Sequence, residues 1–256
     1  MASPMNMNSF EGKRILALIR EGDYAHAGEE EAIERSFRTV PKNSGQWVLD
    51  VGCGRGGSAE YIRRNGWGHV EGIDRDSESV EYARATYPEI VSEAGTAARP
   101  TGFHVCDVLD VPRTVTRTFD VIYMLNAFYA FVDQRDALAK LRKVAKPAAQ
   151  LVIFDYTVGP NAGDTPNPMM PHAIRLPEIA AMLRDAGWAP GAVEDLSAEY
   201  TRWYATFVER IQLKRAEIEK IGGADWYNFV FSMYSGLRGV IANGGLGGAI
   251  VHARAT

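Results

Sequence analysis

The chain has 256 residues, of which 46% are hydrophobic and 23% are charged, and its formal net charge is −4. This composition is ordinary for a globular enzyme and unlike that of a disordered or fibrous chain. The acidic balance provides no basic surface for a nucleic acid, and two cysteines are too few for a disulfide framework. No stretch approaches the roughly 18 consecutive apolar residues of a membrane span.

The N-terminal segment, residues 1–10, is rich in Ser, Asn and Met and has no basic region followed by an apolar one. We therefore expect a disordered tail rather than a signal peptide, and a cytoplasmic protein in which Cys53 and Cys106 are reduced. Residues 11–256 are predicted to form a single domain, in which 11–44 make an N-terminal cap of two helices before the first strand.

Strands and helices then alternate along the chain. In order, the hydrophobic pattern predicts strand 47–51, helix 58–65, strand 69–74, helix 77–86, strands 102–107 and 119–125, helix 134–145, strand 151–154, helix 176–186 and a strand near 193–196. Such alternation is typical of a parallel sheet with helices on both faces. The last strand is predicted at 249–253.

A helical insertion over residues 197–243 precedes that last strand and is not needed by the minimal fold. The insertion is predicted to form two helices, and a single helical face contains Tyr200, Trp203, Tyr204, Phe207, Ile211 and Ile218. One interpretation is a buried stripe that packs an extra helix pair on the sheet. The other is a lid whose aromatic side chains close over the strand ends and select a ligand, and the two can hold together.

A strand, a tight turn and a helix start meet in residues 47–58, where Asp50 is followed by four glycines. Such glycines let the backbone approach a nucleotide-like ligand closely. The spacing of Gly52, Gly54 and Gly57 also satisfies the dinucleotide fingerprint, so the glycines alone do not name the ligand. Asp50 helps to choose, because a carboxylate there would repel a pyrophosphate but would suit an ammonium group, as in S-adenosylmethionine.

The next two predicted strands end in aspartate as well. Asp74 follows the glycine turn by about 20 residues, where a carboxylate can accept both hydroxyls of a ribose. Asp107 is placed to accept a hydrogen bond from an adenine amino group. The alternative is that each aspartate only caps the helix after its strand. Three successive strands ending in aspartate favour the first interpretation.

In order and spacing, these motifs resemble those of class I S-adenosylmethionine-dependent methyltransferases. The resemblance covers residues 45–190 and rests on four segments, 48–57, 71–74, 106–107 and 119–125. It implies an α/β fold with a Rossmann-like, seven-stranded, mostly parallel sheet whose last strand is antiparallel. It also implies S-adenosylmethionine as the cofactor.

The resemblance further implies which residues surround the cofactor, from its methionine part through the ribose to the adenine and the end of the fourth strand. In that order they are Asp50, Gly52, Cys53 and Gly54; Asp74 and Arg75; Cys106, Asp107 and Val108; and Asn126.

The flanking segments are most similar to a small-molecule branch that includes sarcosine/dimethylglycine and phosphoethanolamine N-methyltransferases. Residues 24–28 resemble a segment that those enzymes fold over the cofactor, which adds Tyr24 to the cofactor site. Asn126 stands where they carry an acidic residue, and the sequence has no cluster of basic residues for a phosphate. We expect a small-molecule acceptor with a nitrogen or an oxygen to methylate, and we favour nitrogen.

Methyl transfer requires that donor and acceptor are aligned and water is excluded, and a hydroxyl acceptor also needs a general base. His26 is the candidate base, with a packing histidine as the alternative, and Tyr129 is the candidate to hydrogen-bond the acceptor. Further acceptor contacts are expected from the fifth strand end and the lid: Asp155, Tyr156, Arg202 and Tyr204. The histidines have no partners at metal-ligand spacing, so no metal is assigned.

Two alternatives come from other classes of protein. An NAD(P)-dependent oxidoreductase is motivated by the glycine spacing, but Asp50 counts against it. A non-catalytic, cofactor-binding partner subunit is the second alternative. For the favoured interpretation the expected partner is the small-molecule acceptor, with no nucleic acid and no membrane, and a homodimer is left open.

Overall fold

The computed structural model describes residues 5–93, 102–163 and 166–256, and these contain seven strands in one sheet. The strands are β1 (Trp47–Val51), β2 (His69–Asp74), β3 (Phe103–Val105), β4 (Phe119–Leu125), β5 (Ala145–Val158), β6 (Trp188–Asp195) and β7 (Leu246–Ala255). Their order is β3-β2-β1-β4-β5-β7-β6, and only β7 runs antiparallel to its neighbours. The predicted fold class is confirmed.

Ten α-helices accompany these strands within the described ranges. They are α1 (Phe10–Arg20), α2 (Glu29–Ser36), α3 (Gly57–Arg64), α4 (Ser77–Thr86), α5 (Pro88–Glu93), α6 (Val111–Thr114), α7 (Gln134–Lys143), α8 (Leu176–Asp185), α9 (Ser197–Leu213) and α10 (Arg215–Ala242). The helices predicted between the strands agree with α3, α4, α7 and α8, whereas the short α5 and α6 were not predicted. None of these helices is both long and apolar enough to cross a membrane.

Four strands differ in length from those predicted. β3 stops at Val105 because the chain then leaves the sheet, and Asp107 caps the short 3-10 turn Val108–Asp110 by accepting from the Leu109 N–H at 3.0 Å. β5, β6 and β7 are longer because β7 lies between β5 and β6 and hydrogen-bonds to both. Pairing with a long neighbouring strand keeps residues in strand conformation that are too polar or too small to signal it alone.

The register of the parallel strands brings their carboxyl ends to one edge of the sheet. Asp50 on β1 lies level with Gly72 on β2 and Tyr123 on β4, and Asp74 lies level with Val105. The strand order reverses between β1 and β4. Open α/β sheets bind ligands outside the carboxyl ends of their strands at such a point. The fold therefore directs attention to this edge.

Each face of the sheet is covered by its own apolar layer. One layer contains the residues that α1, α2, α3, α9 and α10 bury, and the other contains those that α6, α7 and α8 bury. Trp67 and Phe154 belong to the first layer, Phe119 and Trp188 to the second, and all four are at most 2% exposed. Burying one large apolar side chain contributes about 1.5–3 kcal/mol, so these layers hold the strand ends in fixed positions.

The N-terminal cap starts within the segment that was expected to be a disordered tail. Residues 1–4 lie outside the described ranges, but Met7 is buried in the core and α1 begins at Phe10. Ser9 caps α1, because its hydroxyl accepts from the Gly12 N–H at 3.2 Å. Burial of Met7 and this cap explain why the chain is structured before residue 11.

The helical insertion predicted over 197–243 corresponds to α9 and α10, and α10 is kinked at Gly223. Along α9, Tyr200, Tyr204 and Phe207 are nearly or fully buried and belong to the same apolar layer as Phe154 on β5. The structure thus places the aromatic stripe in the core. A movement of α9 and α10 as a lid stays a prediction.

Candidate cofactor site

A cavity of about 400 Å³ opens at the carboxyl edge of the sheet, between the glycine turn, the strand ends and the N-terminal cap. Its size is within the range of small-molecule sites. The predicted cofactor residues that line it are Gly52, Gly54, Asp74, Arg75, Cys106, Asp107, Val108 and Asn126. The sequence motifs are therefore brought together at one place. Asp50, Cys53 and Tyr24 lie outside the lining.

The glycine turn fits the cavity wall only without side chains. Gly52 has a φ of 83°, in the left-handed region that favours glycine. A Cβ on Gly52 would lie 2.6 Å from the Cβ of Ala127, at the end of β4. The N–H groups of Gly52 and Cys53 donate to the Ile73 carbonyl at 2.8 and 2.9 Å, which fixes the turn against β2. Cys53 is thus buried behind the turn, and its backbone rather than its thiol holds the site.

Asp74 is the most deeply placed carboxylate of the cavity wall and is 9% exposed. Its Oδ2 accepts from the Gly54 N–H at 2.8 Å, and its Oδ1 is 3.1 Å from the Lys13 ammonium. Lys13 also contacts the Asp76 carboxylate, at 3.3 Å. A carboxylate at this position can accept hydrogen bonds from a ligand with hydroxyl groups.

Asp107 lies at the mouth of the cavity and is exposed. Its Oδ1 caps the turn that follows β3, so the alternative interpretation of this aspartate, a capping role, holds for that oxygen. Val108 and Cys106 line the cavity beside it. The carboxylate could accept a hydrogen bond from the edge of an aromatic base, and the apolar neighbours could pack against its face.

Asp50 is buried beneath the glycine turn. Its Oδ2 has no hydrogen-bond partner among the described residues. Burial raises the pKa of Asp50 to about 7, the nearby Tyr123 hydroxyl opposes this effect, and the negative charge of Asp74 adds to it. A buried carboxylate oxygen without a partner is costly, and a cationic group above the turn would relieve that cost.

Asn126 connects the end of β4 to the N-terminal cap. Its Oδ1 accepts from the Ala27 N–H at 3.0 Å, and its Nδ2 donates to the Tyr200 hydroxyl at 2.9 Å. The residue has a φ of 51°, which asparagine tolerates better than most residues. Asn126 therefore both lines the cavity and holds the segment of residues 24–28 against the sheet.

His26 and Tyr24 belong to that segment but do not line the cavity. The Nδ1 of His26 is 3.1 Å from the Ala27 carbonyl, which can only accept, so the neutral ring leaves Nε2 to accept from the Ser58 hydroxyl at 2.9 Å. Burial lowers the pKa of His26 to about 3. The tyrosine hydroxyl bonds Glu30 at 3.1 Å. These contacts fit the alternative of a packing histidine better than a general base.

Tyr129 lines the cavity after β4, and Asp155 and Tyr156 lie directly behind it. The Tyr129 N–H donates to Asp155 Oδ2 at 3.1 Å, and the Tyr156 N–H donates to Oδ1 at 2.7 Å. Asp155 is fully buried, and burial raises its pKa to about 7. The Tyr156 ring packs edge-to-face on Tyr129 at 5.2 Å. Asp155 and Tyr156 thus support Tyr129 instead of lining the cavity.

Arg202 and Tyr204 on α9 do not reach the cavity. Arg202 is largely exposed and pairs with Glu31 at 2.7 Å. Tyr204 is buried, and its hydroxyl bonds that of Tyr156. Arg202 is held by Glu31 on α2, and the Tyr204 ring packs against Tyr156 and Tyr200, so neither residue lines the cavity. Neither position supports the predicted contact with an acceptor.

Sequence reasoning missed four polar residues of the cavity, Asn8, Lys13, Asp76 and Asp133. Asn8 fell in the expected tail. Lys13 lies on the buried face of α1 between Gly12 and Leu16, and a charged residue on an apolar helix face is the signal that could have found it. Among the described residues, no group of three or more His, Cys, Asp or Glu side chains could hold a metal ion.

An open sheet of this order, with a glycine turn after β1 and acidic residues at the end of β2 and after β3, is consistent with a Rossmann-like methyltransferase fold. Residues 48–148 match the family model described as a methyltransferase domain. The resemblance inferred from the motifs is confirmed.

Three comparisons show what the chain is similar to. It is 32% identical over 143 residues to the O-methyltransferase rstn1 of Aspergillus nomiae, covering 54% of this chain and 60% of that protein. It is 28% identical over 181 residues to phosphoethanolamine N-methyltransferase 3 of Arabidopsis thaliana, covering 68% and 35%. The solved phosphoethanolamine N-methyltransferase 2 of Haemonchus contortus shares the fold, with a TM-score of 0.80, 18% identity and coverage of 96% and 57%. The chain spans less than two thirds of the length of each.

Proposed function

We propose that the protein is an S-adenosylmethionine-dependent methyltransferase that transfers a methyl group to a nitrogen or oxygen of a small molecule. The observation that carries this proposal is the convergence of Gly52, Asp74 and Asp107 on one cavity at the switch point of the sheet. Relatives named as O-methyltransferases and as phosphoethanolamine N-methyltransferases support the reaction class.

The residues of the site fit S-adenosylmethionine. Asp74 would accept from the ribose hydroxyls, and Asp107, at the mouth, from the adenine amino group. Asp50 lacks a partner for one oxygen and would favour the ammonium group through the turn above it. The Haemonchus contortus enzyme of the same fold was solved with S-adenosylhomocysteine and phosphomonomethylethanolamine, which supports this cofactor.

S-adenosylmethionine supplies a methyl group on a positively charged sulfur, where a nucleophile can displace it in line. The chain has to orient both molecules and exclude water. Asn126 anchors the cap segment over the cavity, and Asp155 fixes the backbone of Tyr129, whose side chain faces the acceptor. His26 is proposed to position the cap through Ser58, because its low pKa makes it a poor base.

The acceptor is proposed to be small, with an apolar or aromatic body. After β4, the cavity wall is formed by Ala127, Tyr129, Ala130, Phe131, Val132 and Asp133. This part of the wall supplies apolar contact, one hydroxyl and one carboxylate but no cluster of cations for a phosphate. Nitrogen remains our preference from the sequence, and oxygen is kept because several relatives are O-methyltransferases.

We also propose that residues 11–256 act as one domain, with 11–44 as cap and 197–243 as a lid over the acceptor. A cytoplasmic location without nucleic-acid or membrane partners is consistent with the net charge of −4. A homodimer is the alternative to a monomer.

Calorimetric titration with S-adenosylhomocysteine, with NADH and NADPH in parallel, tests the cofactor. We expect S-adenosylhomocysteine to bind and the two dinucleotides to give no binding heat. If NADH or NADPH gives a binding heat, and the Asp50→Asn variant retains it, the result would instead support the oxidoreductase. If S-adenosylhomocysteine binds but a broad screen of amines and phenols gives no methylated product, the non-catalytic partner subunit becomes the better interpretation.

A further inference from the structure

Lys13 presents a buried ammonium group to the wall of the cofactor cavity. The residue is 8% exposed, and its Nζ lies 3.1 Å from Asp74 Oδ1 and 3.3 Å from Asp76 Oδ2. It comes from α1, whereas Asp74 ends β2, so the ion pair joins residues 61 apart in the chain. The motifs of the sequence give it no role.

Both oxygens of Asp74 are engaged by groups of the protein itself. Oδ2 accepts from the Gly54 N–H at 2.8 Å, and Oδ1 accepts from the Asp76 N–H at 2.9 Å and from the Lys13 ammonium at 3.1 Å. A ribose brings two hydroxyl donors to the same carboxylate. A carboxylate oxygen has room for about two donors, and Oδ1 already has two, so a hydroxyl that bonds Oδ1 has to compete with the ammonium.

We propose that Lys13 is a placeholder for the cofactor ribose: its ammonium neutralises Asp74, competes with the ribose hydroxyls and so sets the affinity for the cofactor. The inference rests on the proposed function. The Gly54 and Asp76 N–H donors of Asp74 are fixed in the backbone, whereas the lysine ammonium, on a flexible four-carbon stem, is the partner that can move.

Asp76 gives the displaced ammonium a second acceptor. It already contacts Lys13 at 3.3 Å, and it is held in place by the hydroxyl of Ser79, which donates to the same Oδ2. A small rotation of the lysine stem therefore exchanges one carboxylate for the other without leaving the charge unpaired. The ribose hydroxyls then replace the ammonium at Asp74.

Lys13→Met tests the proposal, with Arg14→Met as the matched control. Arg14 is the next residue on α1, carries the same charge and is exposed. In K13M, the ligand-free protein should melt a few degrees lower, whereas S-adenosylhomocysteine should bind about tenfold more tightly because its competitor is gone. R14M should leave both quantities unchanged. Should K13M fail to fold, K13Q keeps a polar end and carries the same expectations.

Asp76→Asn provides a change of opposite sign. Without the second carboxylate, Lys13 should stay on Asp74, and S-adenosylhomocysteine should bind several-fold more weakly. Equal or weaker binding by K13M than by the wild type would overturn the placeholder role while the proposed function stands. A wild type that binds no S-adenosylhomocysteine would overturn the proposed function, and the placeholder role with it.

Discussion

Two buried carboxyl groups, Asp50 and Asp155, have a pKa that burial raises to about 7 in the folded protein. In the unfolded chain an aspartate titrates near 3.9. The folded state therefore binds these protons more tightly, and the stabilisation present at low pH is lost as the pH rises from about 4 to about 7. His26, whose pKa is lowered to about 3, acts in the opposite direction below pH 6.5.

Because these effects oppose each other, the informative quantity is a difference between two proteins. Relative to the wild type, Asp50→Asn should gain stability as the pH rises from 4 to 8, by up to about 4 kcal/mol. Urea unfolding of both proteins across this range measures the difference. A constant difference would mean that Asp50 does not titrate in this range. At pH 8 the variant should also bind S-adenosylhomocysteine more weakly, since the ammonium loses its counter-charge.

Asp74 is the residue on which the cofactor assignment depends most. Asp74→Ala should weaken binding of S-adenosylhomocysteine by about 1–3 kcal/mol, because charge-assisted hydrogen bonds to the ribose are lost. Asp107→Asn, at the exposed mouth, should have the smaller effect. Calorimetry on both variants gives the comparison, and an unchanged affinity in Asp74→Ala would remove the ribose role of that carboxylate.

The residues that could be predicted from the sequence are those whose position follows from a local pattern. Asp74 and Asp107 each follow an apolar run, so the direction of the strand alone places them at the carboxyl edge. Lys13 could not be placed in this way, because its partners come from a strand end 61 residues away. Arg202 was misplaced for a related reason: helical spacing assigns a face but not the acidic neighbour that holds the side chain.

At the scale of elements, the N-terminal cap is fastened to both the sheet and α9. Arg35 on α2 pairs with Glu194 on β6 and Glu199 on α9, both at 2.6 Å. Gly28, which precedes α2, approaches α9 so closely that a Cβ there would lie 2.7 Å from the Trp203 ring. The cap and the C-terminal helices therefore form one continuous cover over the apolar layer of the sheet.

Tyr204→Phe separates a core role of α9 from a role in acceptor binding. The change leaves the Tyr156 hydroxyl without its partner in a buried place, which should cost about 1–3 kcal/mol of unfolding free energy. Cofactor affinity should not change. Arg202→Ala, on the exposed face of the same helix, should cost less than about 0.5 kcal/mol. A stable Tyr204→Phe protein that loses only acceptor affinity would support the lid.

For the whole molecule, the architecture was predictable because the strands are apolar runs separated by helices, and the glycine turn fixed where the site had to be. The length of β7 was not predictable from the sequence, because Gly247 and Gly248 have no strand propensity. They join the sheet only because β5 lies beside them. The depth of α9 in the core could not be predicted either, because hydrophobic periodicity identifies the apolar face of a helix but not how deeply that face is buried.

Ligand binding at a site built from so many elements should stabilise the entire fold. At a concentration one hundred times its Kd, S-adenosylhomocysteine should add about 2.7 kcal/mol and raise Tm by roughly 5–10 °C. Differential scanning fluorimetry measures this shift, with NADH as the negative control. A shift from NADH of the same size would point to the dinucleotide instead.

The place of β7 in the sheet has a consequence for how the protein is made. β6 hydrogen-bonds only to β7 within the described sheet, and β7 follows it by some fifty residues of helix. During synthesis, therefore, one edge of β5 is unpaired and β6 has no partner strand until residues 246–255 have left the ribosome. A nascent chain arrested before that point should expose two aggregation-prone strand edges, and binding by a chaperone is most useful in that interval.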